Sequence, residues 1–229
     1  MDTKEKHAMI RDIGLQIVMI LAMILIFLSM HGIPQKFLAK LRIRNRTGIK
    51  AKRHFVRGAQ LLTQARSSKN KSRSAINNLA NEALAEAEKA IELDPKDAAS
   101  YLLKAMVLDL QGFRTSALES LDAALSPLAA GSLAEGERGD ALFKRAELKL
   151  ATSERGRVDS ALADLTESVI LSPKNAKAWC ALGECYEGKK MEVEAKKAYK
   201  EALELEPQFS VPVEALNSSG NNGYYNFNN

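Results

Sequence analysis

The residues of this chain that could carry chemistry are few and poorly spaced for it. Its two cysteines, Cys180 and Cys185, are five apart, which is neither a C-x-x-C pair nor part of a disulfide framework. They read as reduced thiols on a helix. The three histidines, His7, His31 and His54, are far in sequence from both cysteines, so no zinc-ligand spacing exists. Carboxylates occur in pairs such as Glu192/Glu194 and Glu204/Glu206, but i,i+2 spacing on a helix sends them to different faces, where they are solvated surface. There is no G-x-x-x-x-G-K-[ST] phosphate loop, no G-x-G-x-x-G and no G-x-S-x-G nucleophile elbow. With no catalytic group, cofactor site or metal site on offer, the sequence predicts a binding protein and not an enzyme.

The elements that position these residues begin with a charge asymmetry. The net charge of +5 is made of a balanced stretch over 1–12, thirteen Lys or Arg and no acid over 13–81, and a net −8 from Glu82 onward. The basic excess sits beside one hydrophobic segment, so the partner it implies is an anionic membrane surface and not nucleic acid. That segment, Ile13–Met30 (IGLQIVMILAMILIFLSM), is broken only by Gly14, Gln16 and Ser29. As a helix it spans about 27 Å, enough for the hydrocarbon core of a thin bilayer. The residues before it are not net positive, and Ser29-Met30-His31 lacks the small residues of a cleavage site, so a retained anchor is predicted over a signal peptide. The reading is a short tail over 1–12, a single transmembrane helix over 13–31 and a basic juxtamembrane helix or linker over 32–47, whose Lys36, Lys40, Arg42, Arg44 and Arg46 meet anionic headgroups. Because more Lys and Arg follow the anchor than precede it, the N-terminus faces out and the rest of the chain faces the cytosol. Asn45-Arg46-Thr47 and Asn217-Ser218-Ser219 match the N-glycosylation pattern and stay unused in that orientation.

In the acidic part, Asn175–Pro207 sets the pattern for its neighbours. Trp179, Leu182, Gly183 and Tyr186 have W-x2-L-G-x2-Y spacing, followed by Ala195, Tyr199, Ala202 and Pro207. Gly183 and Ala202 are small enough for two helices to approach closely, while Trp179, Tyr186 and Tyr199 fill the seam. This stretch resembles one unit of the tetratricopeptide repeat (TPR) family. Subtracting 34 places Ala161, Leu165, Ser168 and Pro173 in the corresponding positions, and Ala83, Ala87 and Ala90 stand 34 before Ala117, Leu121 and Ala124. Between these two pairs the phase slips by ten, through Pro127–Gly139 and Ala151–Ser160, both with the composition of loops.

The predicted fold is an all-α, TPR-type α-solenoid of three to four helix-turn-helix repeats, preceded by the transmembrane helix. Its domain covers 48–216, with repeats over 49–95, 98–127, 140–173 and 175–207 and a short apolar cap over 208–216; 217–229 is a disordered Asn-rich tail. The first repeat pairs a pattern in Ile49–Ala65, after a kink at Gly48, with an Ala-rich helix over Ser74–Leu93.

The resemblance implies that the first helix of each unit lines a concave groove. Projected onto this chain, the lining is Leu102, Met106, Asp109 and Leu110; Asp140, Phe143, Glu147 and Leu150; and Lys177, Cys180, Glu184 and Glu187. For Leu102, Met106 and Phe143 the alternative is cover by a neighbouring helix. An apolar and acidic groove favours a basic amphipathic protein segment, such as an organelle targeting sequence. The alternatives are a co-chaperone adaptor for acidic heat-shock-protein C-termini, which the acids disfavour, and a structural subunit of a membrane complex. The membrane is that of a mitochondrial or plastid outer surface, or the endoplasmic reticulum.

Overall fold

The computed structural model describes residues 3–30, 33–67, 72–152 and 157–209. Among them are nine α-helices, one short 3-10 turn and no strands. They fall into two units, Met1–Ile49 and Lys50–Asn229.

In the first unit, α1 spans Thr3–Met30. The helix therefore starts inside the stretch read as a tail. The apolar side chains of α1 that are described, from Ile13 to Ile24 together with Phe27, are about half exposed or more on all sides. Among the described residues no helix is long and apolar enough to cross a membrane. Side chains 25, 26 and 28–30 of the Ile13–Met30 run lie outside them. Helix α2 runs without interruption over Ile33–Ser67, so Gly48 does not break it; Pro34 stands in its first turn, where its missing N–H costs nothing.

The second unit is a series of antiparallel helical hairpins. The part of α2 beyond Lys50 pairs with α3 (Arg73–Leu93), α4 (Ala98–Gln111) with α5 (Arg114–Ala124), α6 (Glu135–Ala151) with α7 (Arg157–Leu171), and α8 (Ala176–Gly188) with α9 (Glu192–Leu205). Local chemistry sets the ends. Ser72 and Asn175 accept from the N–H groups of Ala75 and Ala178 at the starts of α3 and α8, and Gly112 closes α4 at φ 87°, a conformation that favours glycine. The core is alanine-rich: Ala80, Ala83, Ala87 and Ala90 on α3 and Ala117 and Ala124 on α5 are fully buried. These small side chains bring helix axes close, and Leu62, Leu103, Val107, Leu121 and Leu165 fill the space between them.

Two helix starts of this unit depart from the sequence expectation, one of them that of α7, which begins at Arg157 inside the Ala151–Ser160 stretch read as a loop. Helix α6 starts at Glu135, inside the stretch read as a loop up to Gly139, because the Glu137 carboxylate caps its first turn by accepting from the Ala134 N–H at 2.9 Å. Gly139 is then inside a helix, where it serves close approach: an added Cβ would lie 2.7 Å from Ser172 Cβ, and the Ser168 hydroxyl donates to the Gly139 carbonyl. Lys149 and Arg145 form an ion network with buried Asp164; Arg145 donates to both Asp164 oxygens at 2.9 and 2.6 Å and Lys149 at 2.6 Å. Of the expected cap, Phe209 packs near Cys180 and Tyr199, and 210–216 lie outside the described residues, as does the tail 217–229.

Candidate functional site

The first helices of the four hairpins share one face of the second unit, and three adjoining cavities run along it. A cavity of about 300 Å³ lies between α2 and α4, bounded by Phe55, Leu62 and Met106. It shares Arg66, Ala99, Leu102 and Met106 with a cavity of about 530 Å³ between α4 and α6. That one shares Phe143 and Lys144 with a third, of about 510 Å³, between α6 and α8.

The projected lining distributes over these cavities as follows. Leu102, Met106, Asp140 and Phe143 border the middle cavity. Asp109, Glu147, Leu150, Lys177, Cys180 and Glu184 border the third, again with Phe143. Leu110 and Glu187 border none of the three; Leu110 is exposed, and Glu187 accepts from the Tyr199 hydroxyl at 2.8 Å. Leu102, Met106 and Phe143 have one side in the core clusters and the other facing the groove, so neighbouring helices cover them only in part.

The electrostatics differ from a count of acids. Lys144, which the projection passes over, stands on the groove beside Phe143 and reaches Asp109 at 3.0 Å and Glu147 at 3.1 Å. Burial works against its charge, but the bonds and charges of the two carboxylates outweigh burial and hold the ammonium above its ordinary range. Asp140 accepts from the Ser172 hydroxyl at 3.1 Å and from the Asn175 amide at 2.9 Å. With Glu187 held by Tyr199 and Glu184 accepting from the Cys180 thiol at 3.6 Å, all five projected acids are engaged within the protein. Arg66, Arg114 and Lys144 join Lys177 along the groove, against Asp109, Glu137, Asp140, Glu147 and Glu184, so the lining is close to charge balance. Arg66 was missed because no lining was projected for the first unit, whose motif is weak; the signal for Lys144 was its position next to Phe143.

The sulfur chemistry is quiet. Burial, reinforced by the charge and hydrogen bond of Glu184, pushes the Cys180 thiol up to about 12, and burial likewise raises Cys185. Burial also raises the Tyr199 hydroxyl, helped by its bond to Glu187. None of these groups ionises near neutrality, so none is a nucleophile there.

Fold and groove define a helical-hairpin array of the TPR type. The tetratricopeptide repeat family model matches residues 176–209, which are α8, α9 and the turn after them. No curated protein matches the chain. Solved structures with a similar fold include a MamA mutant, 17% identical over 76% of this chain and 83% of that one with a TM-score of 0.55, and a thermophilic TPR protein of Thermus thermophilus, 19% identical over 74% and 83% with a TM-score of 0.51. MamA from Desulfovibrio magneticus RS-1 is 15% identical over 72% of this chain and 94% of that one, with a TM-score of 0.50. At these identities the likeness is one of fold.

Proposed function

We propose that this chain is a non-catalytic protein-docking module, tethered to a membrane by Ile13–Met30 with its repeats in the cytosol, and that its groove takes an amphipathic segment of a partner protein. The observation that carries the docking reading is the run of adjoining cavities along α2, α4, α6 and α8, floored by half-buried apolar side chains. The basic ligand favoured by the acids of the sequence finds Asp109 and Glu147 already bound to Lys144; apolar contact on Leu102, Met106 and Phe143 therefore contributes more to recognition than net charge.

The tether reading is supported by the apolar run of the sequence and by the uncovered apolar side chains of α1. The basic residues after it favour an anionic cytosolic leaflet, at a mitochondrial or plastid outer membrane or the endoplasmic reticulum. Fusing residues 1–60 to a fluorescent reporter tests this: the fusion is expected to stay in the membrane pellet after carbonate extraction, and a soluble fusion refutes the tether. Glycosylation at Asn45 or Asn217 in cells would reverse the proposed orientation.

A further inference from the structure

Building on the docking reading, we infer that the cavity between the second and third hairpins is an anchoring pocket for one bulky apolar side chain of the docked segment, and that Arg66 at its rim selects an acidic neighbour of that side chain.

The pocket owes its shape to an insertion. The connections α3–α4 and α7–α8 span 94–97 and 172–175, whereas α5–α6 spans 125–134. The longer connection is built into the array. Ala129 is buried with Ala98 and Ala124, with Leu133 packed against them. Asp97 accepts from the Ser100 hydroxyl at 2.5 Å, and the Ala98 N–H in the first turn of α4, which has no partner within the helix, donates to Ser132 Oγ of the insertion at 2.9 Å. The insertion is thus a fixed wall, and Leu133 presents from it into the cavity. On the other sides stand Leu102 and Met106 of α4 and Phe143 of α6. The floor is Leu121 of α5, only 1% exposed, so the cavity passes between the first helices and reaches the second layer. Its volume of about 530 Å³ and apolar walls are those of a site for a large side chain.

The charges at the rim set the flanking chemistry. Glu137 accepts from Ala134 N–H, Asp140 from Ser172 and Asn175, and Lys144 lies between Asp109 and Glu147. Arg66 is exposed and has no hydrogen-bond or ion-pair partner among the described residues. An incoming carboxylate finds a guanidinium that is not engaged. An incoming ammonium meets carboxylates that already hold donors, next to the positive end of α6.

The test is to pan a phage-displayed random dodecapeptide library on the full chain in lipid nanodiscs. Enriched peptides are expected to carry Leu, Met, Phe or Trp with Asp or Glu within two residues, and to lose roughly tenfold or more in binding to Met106→Lys and Leu133→Lys. Arg66→Glu, an exposed change that leaves the thermal melt in place, is expected to switch the preferred neighbour to Lys or Arg. Enriched peptides with basic neighbours, or peptides that bind Leu133→Lys and Met106→Lys as well as the parent chain, overturn the assignment. If binding is instead lost in Glu184→Lys alone, docking stands and the pocket falls; if no peptide enriches, both fall.

Discussion

Gly183→Ala tests the close helix approach on which the whole array depends. A Cβ at this position would lie 2.5 Å from Cδ1 and Cε1 of Tyr199 and 2.9 Å from Cζ. Carbon atoms rest about 3.5–4.0 Å apart, so the ring must retreat by about 1 Å. It has little room to do so: Tyr199 is 2% exposed, and its hydroxyl is held by Glu187 at 2.8 Å. Overpacking of this kind costs about 1–3 kcal/mol, and straining the buried hydroxyl bond adds about 1 kcal/mol. The better helix propensity of alanine returns about 1 kcal/mol, leaving a net loss of about 1–3 kcal/mol. Urea unfolding followed by the fluorescence of Trp179 reads this directly. Gly188→Ala serves as the control, since nothing lies within 4 Å of its added Cβ, and it is expected to be neutral or slightly stabilising. Combining Gly183→Ala with Tyr199→Leu should cost less than the sum of the two single changes by about 1 kcal/mol. A Gly183→Ala chain that is as stable as the Gly188→Ala control would refute the packing of α8 on α9.

Three further outcomes follow from the ionisable groups. Asp164→Ala leaves the part-buried Arg145 with exposed Asp122 and Lys149 with the Ser160 hydroxyl. This loss of their shared buried carboxylate is expected to lower stability by about 3 kcal/mol, the low end for a broken buried pair, in the same urea assay. The Glu86 carboxyl is held below its ordinary 4.5 by the bond from His54 at 2.6 Å, against the cost of burial and with help from Lys89. A depressed folded value means that its contribution is complete above the unfolded value and is lost as pH falls through the folded one. The melting-temperature difference between the parent and Glu86→Gln is therefore expected to be full at pH 7 and to shrink below about pH 4.5. With its thiol pushed up to about 12, Cys180 is expected to resist iodoacetamide at pH 8 in the folded chain and to react once urea unfolds it, which peptide mass mapping distinguishes.

The last repeat was legible because its chemistry is local. Trp179, Gly183, Tyr186 and Tyr199 each sit at the spacing that their packing requires, and the indole of Trp179 donates to the Pro173 carbonyl at the entry turn. The phase slip was legible as well, though its content was not. Gly131, Gly136 and Gly139 look like loop residues, yet Gly139 is glycine because α6 passes against Ser172, a contact that exists only in the folded array. The first repeat was obscure for a similar reason. Gly58 occupies a tight position against Leu103 and the Ala83 carbonyl, but His54 and Arg57 stand where the family pattern has large apolar residues, and His54 instead pairs with Glu86 across the hairpin. The groove charge is only partly legible in the sequence, because a lining read helix by helix does not show Lys144 bridging α4 to α6.

Docking through the groove is most directly tested by photocrosslinking the full chain in intact cells, with benzoylphenylalanine placed at Phe143 in the groove or at Thr166, exposed on α7. The account predicts discrete protein adducts at position 143 that are absent at 166. Equal adducts at both positions, or none at 143, would contradict it.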